Sequence, residues 1–197
     1  MAAKIHPSTR SMITFCFLLV STASAMTEEQ PFATNLDPKL LGLKKEKLTH
    51  FRVYWHDIIG GSKPGDKPTS FEVLPPLRLN DAAMFGLVNI FDNPLTVGPD
   101  PASQLVGKSQ GLYASASQHQ FGLLMAMNFA FTHGKYNGST ITILGRNPIF
   151  DTVREMPVIG GSGRFRFARG YAQATTHFFN ATSLDAIVEY NIYVLHY

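Results

Sequence analysis

Short runs rich in β-branched and aromatic residues, separated by Gly, Pro, Asn and Asp, follow one another along most of the chain and constrain its fold more than any other feature. Such runs are typical of β-strands joined by turns, and no longer stretch keeps the repeat of an amphipathic helix. Consecutive strands without intervening helices favour an antiparallel barrel or sandwich over an α/β fold. The runs cover approximately residues 49–57, 69–74, 83–91, 106–116, 122–132, 139–146, 164–176 and 185–196.

Two of the runs favour a barrel over a sandwich, because each carries a polar group at the end of an apolar face. Alternation ends one such face at Asp57 in THFRVYWHD (49–57) and another at Asn147 in STITILGRN (139–147). This arrangement is typical of a ligand cavity inside an eight-stranded barrel. We therefore predict an all-β fold with a single eight-stranded antiparallel β-barrel. The same pattern is also compatible with Asp57 and Asn147 lying at strand ends in solvent.

Residues 1–25 have the features of a secretory signal peptide. Lys4 and Arg10 form a basic start, residues 12–20 are a short apolar run, and residues 23–25 are small enough for cleavage. The apolar run is well short of the ~20 residues that a membrane-spanning helix needs. The predicted organisation is a signal peptide at 1–25, an N-terminal arm at 26–48 and the β-barrel domain at 49–197. The mature protein is expected to be soluble, secreted and not a membrane protein.

Cleavage of the signal peptide has two chemical consequences. The single cysteine, Cys16, leaves with it, so the mature chain is expected to have no thiol nucleophile and no disulfide. The formal charge falls from +3 to +1, because Lys4 and Arg10 leave and no acidic residue does. A nearly neutral exported chain is a poor match for a nucleic-acid-binding protein, so no nucleic-acid partner is expected.

Export also gives meaning to two Asn-x-Ser/Thr triplets. Asn137 begins Asn-Gly-Ser and Asn180 begins Asn-Ala-Thr, and neither triplet has proline in the middle. Both asparagines are therefore predicted N-glycosylation sites on exposed turns.

The segment VREMPVIGGSGRFRFARGYA (153–172) allows three interpretations: a phosphate loop, a basic aromatic strip for nucleic acid, or a tight turn between strands. A phosphate loop requires a following helix, whereas an alternating strand follows GGSG. Alternation places Phe165 and Phe167 on the face opposite Arg164 and Arg166, which argues against a stacking surface for bases. We predict a turn followed by a half-buried strand, with positive φ at Gly160, Gly161 and Gly163.

Taken together, several segments closely resemble the plant dirigent family over residues 48–197. The segments that carry this resemblance are His56-Asp57-Ile58, VGKSQGLYA (106–114), NGSTITILGRNP (137–148), VREMPVIGGSGRFRFARGYA (153–172) and VEYNIYVLHY (188–197). The resemblance implies a protein of the apoplast, with an eight-stranded antiparallel barrel that assembles as a homo-oligomer, either a dimer or a trimer.

The resemblance also implies a function. Family members steer the coupling of two phenoxy radicals, for example from coniferyl alcohol, toward one stereoisomer of a lignan. A separate laccase or peroxidase supplies the oxidation, so phenolic molecules and that oxidase are the expected partners. No cofactor and no metal are implied, and the histidines show no metal-ligand spacing.

Two catalytic residues follow from the resemblance. Asp57 matches an aspartate after the first barrel strand, and Arg154 matches an arginine before the glycine turn. Asp57 lies beside Trp55, away from bulk water, so its pKa is expected to be raised and its carboxyl group to pass a proton. Arg154 is expected to polarise a phenolic oxygen.

Three further residues are expected to bind substrate: Tyr113, Asn147 and Phe167. Ordinary core packing is the alternative for Tyr113 and Phe167. Asn147 departs from the family, whose lignan-forming members have an acidic residue at this position. Because an amide cannot shuttle a proton, a mechanism that needs two carboxylates is in doubt for this chain.

The segments around GRNP and VREMPVIGGSG also resemble the branch that contains pterocarpan synthases. That branch implies a dehydratase that eliminates water from an isoflavanol through a quinone methide, without an oxidase. A non-enzymatic defence or cell-wall binding protein is a third possibility. It predicts ligand binding with no effect on the stereochemistry of any product.

Overall fold

The computed structural model describes residues 32–43, 45–61, 65, 67–78 and 82–197. The predicted signal peptide at 1–25, with Cys16, and residues 26–31 of the predicted arm lie outside the described residues. Residues 32–37 are exposed, without helix or strand, and contacts assign them to a unit separate from Pro38–Tyr197. All the strands described below belong to the second unit.

The strands confirm the predicted all-β fold. A short 3-10 helix at Pro38–Leu41 precedes the first strand, and two others lie at Gly134–Tyr136 and Gly163–Phe165. The strands are β1 (Lys47–Asp57), β2 (Ser70–Leu74), β3 (Val88–Thr96), β4 (Leu105–Ser115), β5 (Leu123–Phe131), β6 (Thr140–Asn147), β7 (Arg154–Ser162), β8 (Arg169–Phe179) and β9 (Ala186–His196).

These strands form one antiparallel sheet that closes on itself. Within the described part of the chain, the strand order is β1-β9-β8-β7-β6-β5-β4-β3-β2. Tyr54 and Trp55 of β1 pair with Thr96 and Leu95 of β3, which closes an eight-stranded barrel and leaves β2 as an extra strand on β3. The predicted eight-stranded antiparallel barrel is therefore confirmed, with one additional strand.

The eight predicted runs are not the eight strands of the barrel. The run at 69–74 forms the extra strand β2, and β3 begins at Val88 rather than at 83. β7 was not predicted, because Pro157 and two glycines interrupt its apolar pattern. β7 nevertheless pairs with β6 on one side and β8 on the other. Hydrogen bonds to these two strands hold β7 in the sheet, although its own sequence lacks a strand pattern.

The glycine segment is also corrected. Gly160 and Gly161 lie inside β7 without positive φ, and of the predicted turn glycines only Gly163 has a positive φ, +61°. Residues Gly163–Phe165 form a 3-10 turn, where the sequence predicted the start of a strand. This turn breaks the predicted alternation, so Phe165 is fully buried while Phe167, at φ +62°, is 54% exposed.

One end of the barrel is filled by aromatic side chains and is called here the aromatic end. The ring of Phe165 lies between 5.0 and 5.9 Å from the rings of Phe51, Phe131, Tyr136 and His196. A cavity of about 330 Å³ opens beside these rings, with Arg52, His133 and Lys135 also in its lining. This cavity is distant along the strands from Asp57.

Candidate functional site

The opposite end of the barrel brings together three of the predicted site residues and is called here the polar end. Asp57 and Asn147 are the last residues of β1 and β6, whereas Arg154 is the first residue of β7. Because the barrel is antiparallel, these positions meet at one end. Tyr113 lies on β4 close to the same end. All four are buried, so the alternative in which Asp57 and Asn147 lie in solvent is wrong.

Asp57 is held by hydrogen bonds from β2 and β3. The Ser70 hydroxyl donates to Oδ1 of Asp57, and Nδ2 of Asn93 donates to the same oxygen at 3.0 Å. Asn93 is itself held by the Thr69 hydroxyl, which donates to its Oδ1 at 2.5 Å. The extra strand β2 therefore covers the carboxyl group and removes it from solvent.

Burial raises the pKa of the Asp57 carboxyl from its ordinary value of 3.8 to about 6. The hydrogen bonds from Ser70 and Asn93 oppose this effect, because they favour the charged form, while the nearby Asp185 adds to it. A carboxyl group with a pKa near 6 is present in both protonation states close to neutral pH. Asp57 can therefore both donate and accept a proton at the pH of most tissues.

Tyr113 is the neighbour of Asp57 on the inner face of the barrel. Its hydroxyl accepts a hydrogen bond from Nδ2 of Asn89 at 2.9 Å, and its ring stacks on Phe91 at 5.8 Å. Burial raises the pKa of the Tyr113 phenol, and the Asp57 carboxylate raises it further. The phenol therefore stays protonated and remains a hydrogen-bond donor beside Asp57.

Arg154 forms the second polar group of the site. Its Nε donates to Oδ1 of Asn147 at 3.1 Å, and one terminal nitrogen donates to Oγ1 of Thr176 at 2.8 Å and to the Asp151 carbonyl at 3.5 Å. All three acceptors are uncharged oxygen atoms. Burial lowers the pKa of the guanidinium. A buried cation without a carboxylate among these partners is suited to an anionic or partly anionic ligand oxygen.

Asp57 and Asp185 are both buried carboxylates near the polar end, but they have different roles. Oδ1 of Asp185 accepts the backbone N–H groups of Ile59, Gly60 and Gly61 at 2.8, 3.1 and 3.2 Å, so it organises the loop after β1. Asn147 carries an amide, which cannot transfer a proton. Among the described residues of this group, Asp57 is therefore the carboxyl group that is placed for proton transfer.

Phe167 does not belong to this group. It lies exposed between the 3-10 turn and β8, next to the aromatic end of the barrel, so it does not line the interior. The buried aromatic rings around the site are instead those of Trp55, Phe91, Phe129 and Tyr190. Trp55 packs edge-on against Phe91 at 5.4 Å, and Phe129 packs edge-on against Tyr190 at 5.2 Å.

Several residues of the site were missed by the sequence reasoning. They are the hydrogen-bond partners of the predicted residues and one buried tyrosine, namely Ser70, Asn89, Asn93, Thr176 and Tyr190. A signal for two of them was present: alternation in VNIFDNPLT places Asn89 and Asn93 on the apolar face of β3. This is the same mixed pattern that identified Asp57 in β1.

Three buried polar atoms at the inner face have no hydrogen-bond partner among the residues that the structure describes. They are Nε1 of Trp55, Oδ1 of Asn89 and the hydroxyl oxygen of Tyr190. Buried polar groups are rarely left unpaired, because each costs about 1–3 kcal/mol. A ligand with polar groups between Asp57 and Arg154 would pair with atoms of this kind.

The predicted glycosylation sites have different environments. Asn137 is exposed in the turn after the 3-10 helix Gly134–Tyr136. Asn180 is partly buried in the turn between β8 and β9, where its Oδ1 accepts the backbone N–H of Thr182 at 2.9 Å.

The described residues contain neither a metal-binding cluster nor a membrane-spanning helix. No group of three or more His, Cys, Asp or Glu side chains in this part of the chain is arranged to hold a metal ion. Within the same residues, no helix has the length and apolar character needed to span a membrane.

The chain is similar over most of its length to known proteins of one family. It matches the Dirigent-like protein family over residues 48–195. Dirigent protein 7 of Arabidopsis thaliana is 53% identical over 186 residues, which cover 94% of this chain and 96% of that protein. Pterocarpan synthase 1 of Glycine max is 50% identical over 167 residues, which cover 84% and 88% respectively. A solved structure of a pterocarpan synthase dirigent protein superposes with a TM-score of 0.72 at 49% identity, covering 78% of this chain and 87% of that one.

Proposed function

This chain belongs to the dirigent-like protein family, and we propose that it binds phenolic molecules inside its barrel and controls the stereochemistry of the bonds that they form. The observation that carries the proposal is Asp57, a buried carboxyl group with a pKa of about 6. It faces an interior of aromatic rings with a buried arginine at the same end of the barrel. Holding the reacting groups in one orientation is what this barrel interior contributes.

The finer proposal is dehydration of an isoflavanol through a quinone methide. Protonated Asp57 donates its proton to the leaving hydroxyl group, the C–O bond breaks and water departs. The conjugated phenol loses its proton, which leaves a neutral quinone methide. A second hydroxyl of the same molecule then adds to the electrophilic carbon from one face and loses its proton. The phenol oxygen regains one of the two released protons, and the Asp57 carboxylate takes up the other. No electrons are gained or lost, so this chemistry needs no cofactor.

Arg154 acts on the phenolic oxygen, whereas Asp57 acts on the leaving hydroxyl group. Negative charge lies on the phenolic oxygen when its proton leaves, and it returns there when the second hydroxyl adds to the quinone methide; a guanidinium bonded to uncharged oxygen atoms is suited to stabilise it. Asn147 fixes the guanidinium through Nε but cannot take a proton. A site with one proton-transfer carboxyl group suits an elimination, which needs one general acid, better than a coupling in which two rings close and two protons are transferred. The 50% identity to a pterocarpan synthase supports the same choice.

The second candidate is stereoselective coupling of two phenoxy radicals, for example from coniferyl alcohol, to optically active lignans. The 53% identity to a dirigent protein favours it. In this reaction a separate laccase or peroxidase makes the radicals. The barrel then holds the two radicals so that one particular face of each is turned toward the other. Asp57 then passes a proton as each ring closes.

One experiment separates these candidates. Purified protein is incubated with an isoflavanol alone, and in parallel with coniferyl alcohol and a laccase, and the products are resolved by chiral chromatography. Loss of water from the isoflavanol without an oxidase supports the dehydratase. An enantiomeric excess in the laccase reaction alone supports radical coupling. If neither product changes, the proposed stereochemical control is wrong, and binding of the phenols would then indicate a non-enzymatic defence or cell-wall protein.

We also propose that the protein forms a homo-oligomer through the outer face of β2 to β6. Cross-strand pairing aligns one row of outward apolar residues over these strands: Phe71, Ile90, Leu112, Ala126 and Leu144. The row runs onto β2, which pairs only with β3 among the described strands and exposes Phe71, Val73 and Leu74. An exposed apolar edge strand favours association, and a second copy presents the same row.

Leu112→Glu is expected to convert the oligomer to a monomer, because it places a charge in the middle of this row. Multi-angle light scattering after size-exclusion chromatography measures the change. Leu48→Glu is the control, since Leu48 is an exposed leucine outside the row. If the wild-type protein is monomeric at all concentrations, the proposed homo-oligomer is wrong, and this apolar row does not bind a second copy of the chain.

We further propose that the protein is exported to the apoplast and N-glycosylated at Asn137 and Asn180. The mature chain is then expected to begin near Met26. Intact-mass measurement of protein secreted by plant cells, before and after enzymatic removal of N-glycans, tests both statements. A mass that does not change on deglycosylation would show that neither asparagine carries a glycan, and an uncut N-terminus would contradict export through a signal peptide.

A further inference from the structure

We infer that Tyr190 is a substrate-binding residue, whose hydroxyl donates a hydrogen bond to the same phenolic oxygen that Arg154 polarises. This inference rests on the proposed function and assigns a second donor to that site. It starts from the strand register. Arg154 pairs with Ala174, Ala174 pairs with Tyr190, and Tyr190 pairs with Val53, so the four form one row across β7, β8, β9 and β1.

The row places the two long side chains on either side of a small one. Arg154, Ala174 and Tyr190 are all buried, and Ala174 offers only a methyl group between its neighbours. Strands lie about 4.8 Å apart, so the backbones of Arg154 and Tyr190 are about 10 Å apart. Both side chains are long enough to reach inward over Ala174 toward a molecule between them.

Packing holds the ring of Tyr190 in place. It lies edge-on to Phe129 at 5.2 Å and to Trp55 at 6.3 Å, and the residue has no exposed surface. A ring fixed on both sides presents its hydroxyl in one direction without an entropic cost when a ligand binds.

The hydroxyl group of Tyr190 is nevertheless unpaired. It is fully buried, and no residue in the described part of the chain forms a hydrogen bond with it. The guanidinium of Arg154 donates to Asn147, Thr176 and the Asp151 carbonyl instead. A tyrosine that served only to fill the core would be replaced by phenylalanine at no loss, whereas this hydroxyl is kept without a structural partner.

The charges around the hydroxyl are consistent with a donor. Burial raises the pKa of the Tyr190 phenol, with Arg154 lowering it and Asp57 raising it. The phenol therefore stays protonated and offers its O–H group between the cation and the acid. With Arg154 it forms a pair of donors for an oxygen on which negative charge develops, the arrangement that stabilises oxyanions in other enzymes.

The test uses Tyr190→Phe, with Tyr193→Phe as the matched control. Tyr193 lies on the same strand with its side chain on the outer face, where it stacks on His50 and Tyr171. The probe is 4-nitrophenol, whose absorbance reports its own ionisation when it is bound. Loss of one donor is expected to raise the pKa of the bound dye by about one pH unit in Tyr190→Phe, and Tyr193→Phe is expected to leave it unchanged.

Two further measurements complete the test. Tyr190→Phe is expected to keep or raise the melting temperature, because it removes a hydroxyl without a partner, and to slow the reaction by about 10²-fold. An unchanged dye pKa in Tyr190→Phe, or a fall in melting temperature that accompanies the loss of activity, would overturn this inference about Tyr190. Neither outcome would contradict the proposed function. Failure of the wild-type protein to bind 4-nitrophenol would instead contradict the proposed phenol site, and the inference would fail with it.

Discussion

Asp57→Asn is expected to lower the rate of dehydration, or the stereoselectivity of coupling, by about 10²–10⁴-fold, the usual contribution of a general acid–base group. The amide keeps the size of the side chain, and its oxygen can still accept from Ser70 and Asn93, but it cannot transfer a proton. Folding and ligand binding should therefore survive. Chiral chromatography of timed reactions measures the loss, and calorimetric titration with the substrate measures binding.

Glu155→Gln is the matched control for this variant. Glu155 is adjacent to Arg154 in the chain but faces outward, where Gln173 donates to it at 3.2 Å. The control loses one carboxylate from the surface and is expected to keep full activity. If Asp57→Asn is as active as the control, the proton-transfer mechanism is wrong, and selectivity would come from the shape of the cavity alone.

The pH dependence of stability gives an independent check on Asp57. Its pKa is raised from 3.8 to about 6 in the folded protein, so the folded state binds the proton more tightly than the unfolded state. The stabilisation of the folded state by protonated Asp57 is complete below pH ~4, and it is lost as the pH rises through about 6. At higher pH the buried charge costs about 3 kcal/mol. Asp57→Asn removes this cost, so its melting temperature should exceed that of the wild type at pH 7.5 but not at pH 3.5.

Gly161→Val is expected to prevent folding, whereas Gly160→Val should be tolerated. A Cβ atom at Gly161 would lie 2.3 Å from the Thr140 carbonyl oxygen and 2.7 Å from Cβ of Phe165. Both obstacles are held by the sheet and by the buried 3-10 turn, so neither can move without breaking pairing or packing. The same atom at Gly160 meets nothing within 4 Å. The reason is thus close approach of the backbone, and not the positive φ that the glycine-rich sequence suggests.

Soluble expression and thermal unfolding of the two variants measure this difference. We expect little or no soluble Gly161→Val, because the overlap exceeds what side-chain adjustment relieves and overpacking costs several kcal/mol. Gly160→Val should unfold close to the wild-type temperature. A soluble Gly161→Val with wild-type stability would show that β6, β7 and the 3-10 turn are not packed as described.

The sequence was sufficient to predict the barrel because alternation is a local property. A strand with one buried face repeats every two residues, and that repeat can be read without knowing which strand lies alongside it. It identified β1, β4, β5, β6 and β9 to within two residues. The same repeat failed for β7, where Pro157 and two glycines remove the pattern.

The glycine-rich segment shows the limit of this reasoning. Extending the alternation through residues 164–168 placed Phe165 and Phe167 on one face, but a 3-10 turn separates them, so one is buried and the other exposed. Nothing local distinguishes the two rings. The outcome depends on the space left at the aromatic end by Phe51, Phe131 and Tyr136.

Sequence patterns were therefore sufficient to predict the β-barrel class, the family and three of the residues that meet at the polar end: Asp57, Asn147 and Arg154. The environment of these residues could be described only from the folded chain. The pKa of Asp57 depends on Ser70 and Asn93, which come from other strands, and Arg154 faces Tyr190 only because β8 places an alanine between them. Alternation is set by each strand alone, whereas burial, register and hydrogen bonding are set by its neighbours, which lie far away in the chain.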